Sequence, residues 1–174
     1  MEAVTALNPI NTMQNLRCDT LPFPVWRVQH EESRAKFRGG DLVSESDHEP
    51  QNEASMRHLV TMHLRWGHSN EESPFLSVFD NRQMAVIWGE QRAKWFNRQR
   101  GGGADVKLFR VDCSSMQDMV IFKVSELLTQ LNSNLNRDTS HEYLILRRIP
   151  ANNIRQDMNI SDSIVQGMRR LAEA

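Results

Sequence analysis

The sequence predicts one α+β domain in which short strands and helices pack around a shared core. Apolar runs typical of strands and periodic segments typical of helices alternate irregularly, unlike the regular alternation of a doubly wound fold. The 174 residues contain no repeat, low-complexity tract or interdomain linker, and this length suits one domain. We therefore expect a flexible N-terminal segment over residues 1–20 and one domain over residues 21–174.

The composition indicates which partners and which cellular compartment to expect. Lys and Arg number 21 and Asp and Glu 22, and this balance argues against a general polyanion binder. The two cysteines, Cys18 and Cys113, have no metal-ligand spacing, so we expect two free thiols in a reducing compartment. The first 20 residues contain no basic start followed by an apolar run, so we expect no signal peptide, and no stretch approaches the roughly 20 apolar residues of a membrane span. These features predict a cytoplasmic or nuclear protein without a membrane partner.

The first half of the chain contains two strand patterns and two helix patterns. Two prolines favour an extended entry to a strand over Val25–Val28. The charged residues 31–53, which include Gly39-Gly40, predict a short helix followed by a loop. Residues 54–66 predict a helix, and Phe75–Phe79 predicts a short buried strand. The apolar face of the 54–66 helix is expected to carry Met56, Leu59, Val60 and His63.

A long helix is predicted next, capped by Asp80 or Asn81 and ended by the glycines at 101–103. Its buried side is expected to carry Met84, Ile87, Trp88 and Trp95.

Val106–Val111 and Val120–Val124 then predict strands, with a helix capped by Ser125 and a polar turn or loop over Asn132–Ser140. Tyr143–Ile149 is a strongly apolar run. A last helix is expected from Ser161, with Ile164, Val165, Met168 and Leu171 on its buried side.

Three polar residues lie in apolar strands and suggest chemistry. Arg27 needs an anionic partner, which is either an internal salt bridge or a phosphate or carboxylate of a ligand. Ser77 is either a structural hydroxyl bonded to nearby backbone or the residue that orients a catalytic carboxylate. Glu142, at the start of a buried strand, is either a solvated strand end or a group that stabilises positive charge in a substrate.

Taken together and in this order, Arg27, Ser77 and Glu142 resemble the Arg-Ser-Glu pattern of cholera-toxin-like ADP-ribosyltransferases. The run from Glu142-Tyr143 to Ile149-Pro150 follows the spacing that such families often show around their late strand. The stretches 63–66 and 73–75 are also similar to an uncharacterised fungal domain family of this fold. The resemblance covers roughly residues 21–155.

The resemblance implies a split, mostly antiparallel β-sheet core with flanking helices, and NAD as the substrate, with no metal. The implied activity is mono-ADP-ribosyl transfer or NAD glycohydrolysis. Glu142 would stabilise the oxocarbenium-like charge that builds up as the nicotinamide–ribose bond breaks. Arg27 would bind the NAD phosphates, and Ser77 would hydrogen-bond Glu142.

Several further residues are implied in binding NAD. Phe79 or Trp88 would stack on the nicotinamide, and His63 and Trp66 would line the same cleft. Trp26, which precedes Arg27 in the sequence, is also expected to contact NAD. From its spacing alone, His63 is equally explained as a helix residue whose ring nitrogens are hydrogen-bonded within the protein, with no role in binding.

Two positions depart from the pattern. Arginine-directed transferases have a second acid two residues before the catalytic Glu, and Ser140 stands there in this chain. The acceptor therefore stays open between another side chain, a nucleic-acid base, a small molecule and water. Phe79 stands where the family has a second hydroxyl on the middle strand.

Two other functions are compatible with the sequence. One is a non-catalytic nucleotide- or protein-binding module on the same scaffold, as the altered positions Ser140 and Phe79 suggest. The other is a nucleic-acid-binding domain that uses the basic segment 92–100, which contains Trp95-Phe96. No metal site is expected, because His48, Glu49, His58, His63 and His68 have no recognised ligand spacing.

Overall fold

The computed structural model describes residues 16–18, 23–65, 71–100, 105–115, 119–133 and 135–162. The strands are β1 (Val25–Gln29), β2 (Lys36–Arg38), β3 (Asp41–Val43), β4 (Phe75–Phe79), β5 (Lys107–Val111), β6 (Ile121–Lys123), β7 (Glu142–Leu146), β8 (Arg148–Ile149) and β9 (Ile154–Asn159). The helices are α1 (Glu53–Leu64), α2 (Arg82–Arg100) and α3 (Val124–Gln130), and a 3₁₀ turn spans Ala151–Asn153.

Two antiparallel sheets form the framework. The larger sheet has the strand order β6-β7-β4-β1-β5-β9, and the smaller has the order β2-β3-β8. Every strand pair in both sheets is antiparallel. The predicted α+β class with a mostly antiparallel sheet core is therefore confirmed. No helix in the described ranges is long and apolar enough to cross a membrane.

The larger sheet is covered on both faces. One apolar cluster joins one face, through residues such as Leu76, Val78 and Ile145, to Leu42 and Ile149 of the smaller sheet. Successive residues of a strand point to opposite sides of the sheet. The residues that alternate with those of the first cluster therefore face the other side, where the helices cover them. The helical layer itself contains two separate apolar clusters. The first packs α1 and α3 on Phe75, Phe122, Leu144 and Leu146; the second packs α2 on Val28, Phe79 and Leu108.

The main helices begin at side-chain caps. The Asn52 side chain accepts a hydrogen bond from the Ser55 amide, and the Ser55 hydroxyl accepts one from the Asn52 amide, which makes a reciprocal capping box. At the start of α2, the Asn81 side chain accepts a hydrogen bond from the Met84 amide at 3.1 Å. The predicted cap at Asn81 is thus confirmed. The helix predicted over residues 54–66 is also confirmed, at Glu53–Leu64, as is the strand Phe75–Phe79.

The helix predicted within residues 31–53 is wrong. These residues form the β2–β3 hairpin, with Arg38 paired to Asp41 across a two-residue turn. Gly39 and Gly40 have φ angles of 60° and 93°, a left-handed conformation that suits tight hairpin turns and disfavours other residues. β9 was not predicted from the sequence, because its central residues are polar and exposed at the sheet edge.

The predicted buried face of α2 is also wrong in part. Ile87 and Trp95 are 40% and 45% exposed. The packed face of α2 instead carries the fully buried Phe96 and the small residues Ala85, Gly89 and Ala93, which let the helix lie close to β1. A Cβ atom at Gly89 would collide with the side chain of Ile160.

The remaining expectations have mixed outcomes. The helix expected to be capped by Ser125 begins one residue earlier, at Val124, with no side-chain cap from Lys123. Cys18 and Cys113 are free thiols, as expected. The last helix, over Ile164 to Leu171, and the glycines at 101–103 lie outside the described residues, as does most of the N-terminal segment.

We predict that Phe122→Ala lowers the free energy of unfolding by about 3–5 kcal/mol, because it opens a cavity at a fully buried position. Phe37→Ala is the matched control. Its ring is 44% exposed, and we expect a loss of about 1 kcal/mol or less. Urea unfolding measures both values. Equal losses for the two variants would contradict the packing described for the helical layer.

Candidate functional site

Glu142 is a buried carboxylate at the first position of β7. Its side chain is 3% exposed, and Oε2 accepts a hydrogen bond of 2.6 Å from Arg137 in the preceding loop. Oε1 has no hydrogen-bond donor among the described residues. A buried carboxylate with one paired oxygen and one unpaired oxygen can interact with a ligand without losing its counter-ion.

The sheet register places predicted site residues in one row. Glu142 lies directly opposite Phe79 on β4, and Phe79 lies opposite Trp26 on β1. Directly opposed residues of antiparallel strands share a face, so the carboxylate and the two aromatic rings lie on the helical side of the sheet. Sequence order alone could not place Trp26 two strands from Glu142.

A cleft of about 530 Å³ opens between α1, α2 and the loop before β7. This volume lies within the range of small-molecule sites, roughly 300–1,000 Å³. The Phe79 and Trp88 rings, both predicted to contact NAD, line the cleft with their centroids 6.0 Å apart. Arg92 lies over the Trp88 ring at 4.9 Å. The cleft is lined by Leu64, Arg65, Phe79, Met84, Ile87, Trp88, Gln91, Arg92, Arg137 and Asp138.

The hydrogen bond expected between Ser77 and Glu142 is wrong. The Ser77 hydroxyl hydrogen-bonds with His63 Nε2 at 2.9 Å, and His63 Nδ1 hydrogen-bonds with the Ser73 hydroxyl at 2.7 Å. The register explains the difference, because Ser77 lies opposite Leu144, two residues along β7 from Glu142. His63 lies on α1, and its ring spans the two serines.

Burial, together with the positive charges of Arg27, Arg34 and Arg137, lowers the pKa of His63 from 6.5 to about 3. The imidazole is therefore neutral near pH 7, and one of its nitrogens donates while the other accepts. A neutral ring in this position fixes the orientation of the Ser77 hydroxyl. The alternative explanation of His63 as a satisfied helix residue describes its hydrogen bonds correctly.

Arg27 is enclosed, with 4% of its surface exposed. One terminal nitrogen donates to the Ser77 carbonyl at 2.8 Å, and the other donates to Gln29 Oε1 at 3.3 Å. Burial lowers the pKa of Arg27 to about 10, and the charge of Glu142 opposes that shift. The contact with NAD phosphates that the resemblance implies stays a prediction; the Nε of Arg27 has no hydrogen-bond partner in the described part of the chain, but it is buried.

His30 is a further buried group that the sequence analysis missed. It follows β1, its ring centroid lies 5.0 Å from that of Phe96, and neither ring nitrogen has a hydrogen-bond partner in the described part of the chain. Burial and the charges of Arg27, Arg92 and Lys36 lower its pKa to about 3. A single histidine in a polar stretch has no pattern that would predict its burial.

Arg137 and Arg65 were also missed, since both lie in polar segments that resemble ordinary loops or helix ends. The basic segment 92–100 forms the second half of α2, where Lys94, Trp95 and Arg98 are exposed. Trp66 lies outside the described residues. Within the described ranges, no group of three or more His, Cys, Asp or Glu residues could hold a metal ion.

We predict that the free energy of unfolding falls as the pH drops from 7.5 to 5. The unfolded chain binds protons on His30 and His63 near pH 6.5, whereas the folded protein binds them only near pH 3. Stability therefore rises with pH across this window. Each histidine should contribute a change on the order of 2 kcal/mol between pH 7.5 and pH 5.

The variant His30→Leu should remove about half of this pH dependence, because leucine does not titrate. His48→Gln, at an exposed position, should keep all of it. Urea unfolding at a series of pH values provides the test. An unchanged slope in His30→Leu would show that His30 titrates normally in the folded protein.

We also predict a coupling free energy of about 1–3 kcal/mol between Arg137 and Glu142 in a double-mutant cycle with Arg137→Gln and Glu142→Gln. The exposed pair Arg57–Glu53, at 3.0 Å on α1, is the matched control and should give only about 0.3–0.5 kcal/mol. The carboxylate of Glu142 is desolvated, so its attraction to Arg137 is less screened. Equal coupling in the two cycles would contradict this account.

The comparisons with known proteins give one family. No curated protein matches the chain. The family described as Domain of unknown function (DUF7587) matches residues 20–163, which is more than four-fifths of the chain and includes the whole cleft. The described fold and the candidate site thus both lie within the matched region, and the chain belongs to the DUF7587 family.

Proposed function

We propose that this protein cleaves the nicotinamide–ribose bond of NAD and transfers ADP-ribose to an acceptor or to water. The observation that carries the proposal is the buried Glu142 carboxylate beside a cleft lined by aromatic rings and guanidinium groups. The resemblance of Arg27, Ser77 and Glu142 to the Arg-Ser-Glu pattern supports the same reaction.

Glu142 would act on the ribose. As the C–N bond breaks, its electron pair leaves with the nicotinamide nitrogen and positive charge develops on the sugar. A fixed carboxylate in a desolvated site stabilises such charge more than water does. In the free protein Arg137 binds Oε2, and the unpaired Oε1 of Glu142 is the oxygen available for this role.

The cleft would bind the rest of the dinucleotide. Phe79 and Trp88 offer aromatic surfaces for a planar ring, and Arg65, Arg92 and Arg137 offer positive charge for the two phosphates. Because Arg27 is enclosed, these cleft arginines are better placed than Arg27 to contact the phosphates.

Arg137 would exchange partners when NAD binds. Its side chain is one-third exposed and lies on a loop at the rim of the cleft. In the free protein it neutralises Glu142; a bound phosphate would compete for the same guanidinium group. Binding of NAD would then release the carboxylate at the moment when the ribose is present.

Arg27, Ser77 and His63 are positioning residues in this scheme. Arg27 joins β1 to the Ser77 carbonyl of β4, and His63 joins the Ser77 hydroxyl to α1. These bonds hold β4 against β1 and α1, and β4 in turn pairs with β7, whose first residue is Glu142. Ser140, which replaces the acid of arginine-directed transferases, disfavours arginine as the acceptor and leaves the other acceptors open.

We predict that Glu142→Gln lowers the rate of nicotinamide release from NAD by at least about 100-fold, because it removes the charge that stabilises the transition state. Glutamine retains the shape of the side chain and a carbonyl acceptor for Arg137. Chromatography of released nicotinamide, with the purified chain in buffer and in cell lysate, provides the measurement. Glu126→Gln, an exposed glutamate paired with Lys123, is the matched control and should keep the full rate.

Wild-type turnover by a folded Glu142→Gln variant would exclude Glu142 as the catalytic carboxylate. Thermal unfolding of both variants shows whether a lost rate reflects a lost fold.

A second candidate is a nucleotide-binding module without catalysis. The observation that favours it is the engagement of Arg27 and Ser77 with other protein groups instead of with Glu142 or the cleft. In that case NAD would quench the fluorescence of Trp88, and this quenching would be lost in Trp88→Leu, while no nicotinamide is released under any condition. Release that is lost in Glu142→Gln would exclude this candidate.

A further inference from the structure

Two arginines face each other at the edge of the larger sheet. Arg110 on β5 lies directly opposite Arg155 on β9, and both side chains are exposed. Directly opposed side chains of an antiparallel pair are about 5 Å apart at Cβ, and like charges there are destabilising. Neither arginine forms a salt bridge within 4 Å in the described part of the chain, and Arg110 lies over the exposed ring of Phe23 at 5.7 Å. The Asp112 carboxylate is the acidic group nearby: hydrogen bonds from Ser114 lower its pKa, and the charges of Arg110 and Arg155 lower it further.

These arginines line a pocket of about 250 Å³ at the sheet edge. All five residues that line it are polar: Arg110, Asp112, Asn152, Asn153 and Arg155. The volume corresponds to roughly eight water molecules at about 30 Å³ each, which is enough for a phosphate group and the first atoms attached to it.

The other polar groups of the pocket are largely engaged with protein. Asp112 Oδ1 accepts hydrogen bonds from the Ser114 amide at 2.9 Å and the Ser114 hydroxyl at 2.6 Å. The side-chain nitrogen Nδ2 of Asn153 donates to the Asp112 backbone carbonyl and to the Ser115 hydroxyl, both at 2.7 Å. The two guanidinium groups and the Asn152 side-chain amide therefore remain as the donors available to a ligand, and with one carboxylate against two guanidinium groups the charge of the lining is net positive.

We propose that this pocket binds the phosphate group of a small phosphorylated molecule. Guanidinium groups bind phosphate oxygens bidentately, and two of them on adjacent strands can contact one phosphate from two sides. A bound dianion would also remove the repulsion between the arginines. A small molecule fits better than a nucleic acid, because the pocket of about 250 Å³ is small and the formal net charge of the chain is −1.

The phosphate pocket is separate from the NAD cleft. Four strand spacings separate Arg155 from Glu142 across the sheet, or about 19 Å at about 4.8 Å per spacing. This inference therefore does not depend on NAD cleavage and can fail or succeed independently of it. The exposed Phe23 ring beside Arg110 offers an apolar contact for the organic part of the ligand.

The test measures phosphate binding by the full chain. Inorganic phosphate and pyrophosphate are titrated up to about 50 mM at constant ionic strength set by chloride, and binding is followed by calorimetry and thermal unfolding. We expect both probes to stabilise the wild type, with pyrophosphate binding more tightly. Arg155→Gln and Arg110→Gln should each weaken binding at least about tenfold, and Arg155→Lys should weaken it less.

Arg57→Gln, an exposed arginine on α1, controls for the loss of one positive charge and should bind phosphate like the wild type. In phosphate-free buffer, thermal unfolding of the two pocket variants shows whether lost binding reflects a lost fold. Phosphate binding that differs less than twofold between the wild type and both pocket variants would overturn the proposal. The same conclusion follows if phosphate stabilises the wild type no more than chloride does.

Discussion

The pairing of Trp26 with Phe79 fixes the register between the two halves of the larger sheet. It connects β4 and β7 on one side to β1, β5 and β9 on the other. Because side chains alternate with a period of two, a slip of one residue would turn Trp26 to the opposite face relative to Phe79. The row that runs from Glu142 through Phe79, Trp26 and Arg110 to Arg155 exists only in this register. Both proposed binding sites lie on this row, at its two ends.

The candidate site occupies the gap between the two apolar clusters of the helical layer. Ser77 lies on β4 between Phe75 of one cluster and Phe79 of the other, and His63 reaches it from α1. A polar residue at this position prevents the two clusters from merging into one core. The cleft between α1 and α2 follows from that interruption, since the helices pack on different parts of the sheet. Burial of Arg27, His30, His63 and Glu142 near the same boundary opposes folding unless these groups are paired or neutral.

The sequence predicted those elements whose burial is expressed in a continuous apolar pattern. The strand at Phe75–Phe79 and the core of β7 are apolar on both faces because both sides of the sheet are covered. β9 could not be predicted in this way, since an edge strand with exposed Arg155, Gln156 and Asp157 carries almost no apolar signal. The sequence placed Arg27, Ser77 and Glu142 on an early, a middle and a late strand, but it predicted neither that these strands are neighbours nor the partner of each side chain. The strand neighbours and the side-chain partners depend on the sheet register and on the packing of α1, which are tertiary features.

The polar character of β9 has a consequence for the protein in concentrated solution. An edge strand presents unpaired amides and carbonyls, and a flat apolar edge recruits strands from other molecules. Here one edge of the larger sheet is charged and carries a register shift next to Phe109, and the other edge, β6, is only three residues long. Neither edge offers a long regular template for intermolecular pairing. The polar residues of β9, which gave the strand no apolar pattern in the sequence, therefore also disfavour sheet-to-sheet aggregation of the folded chain.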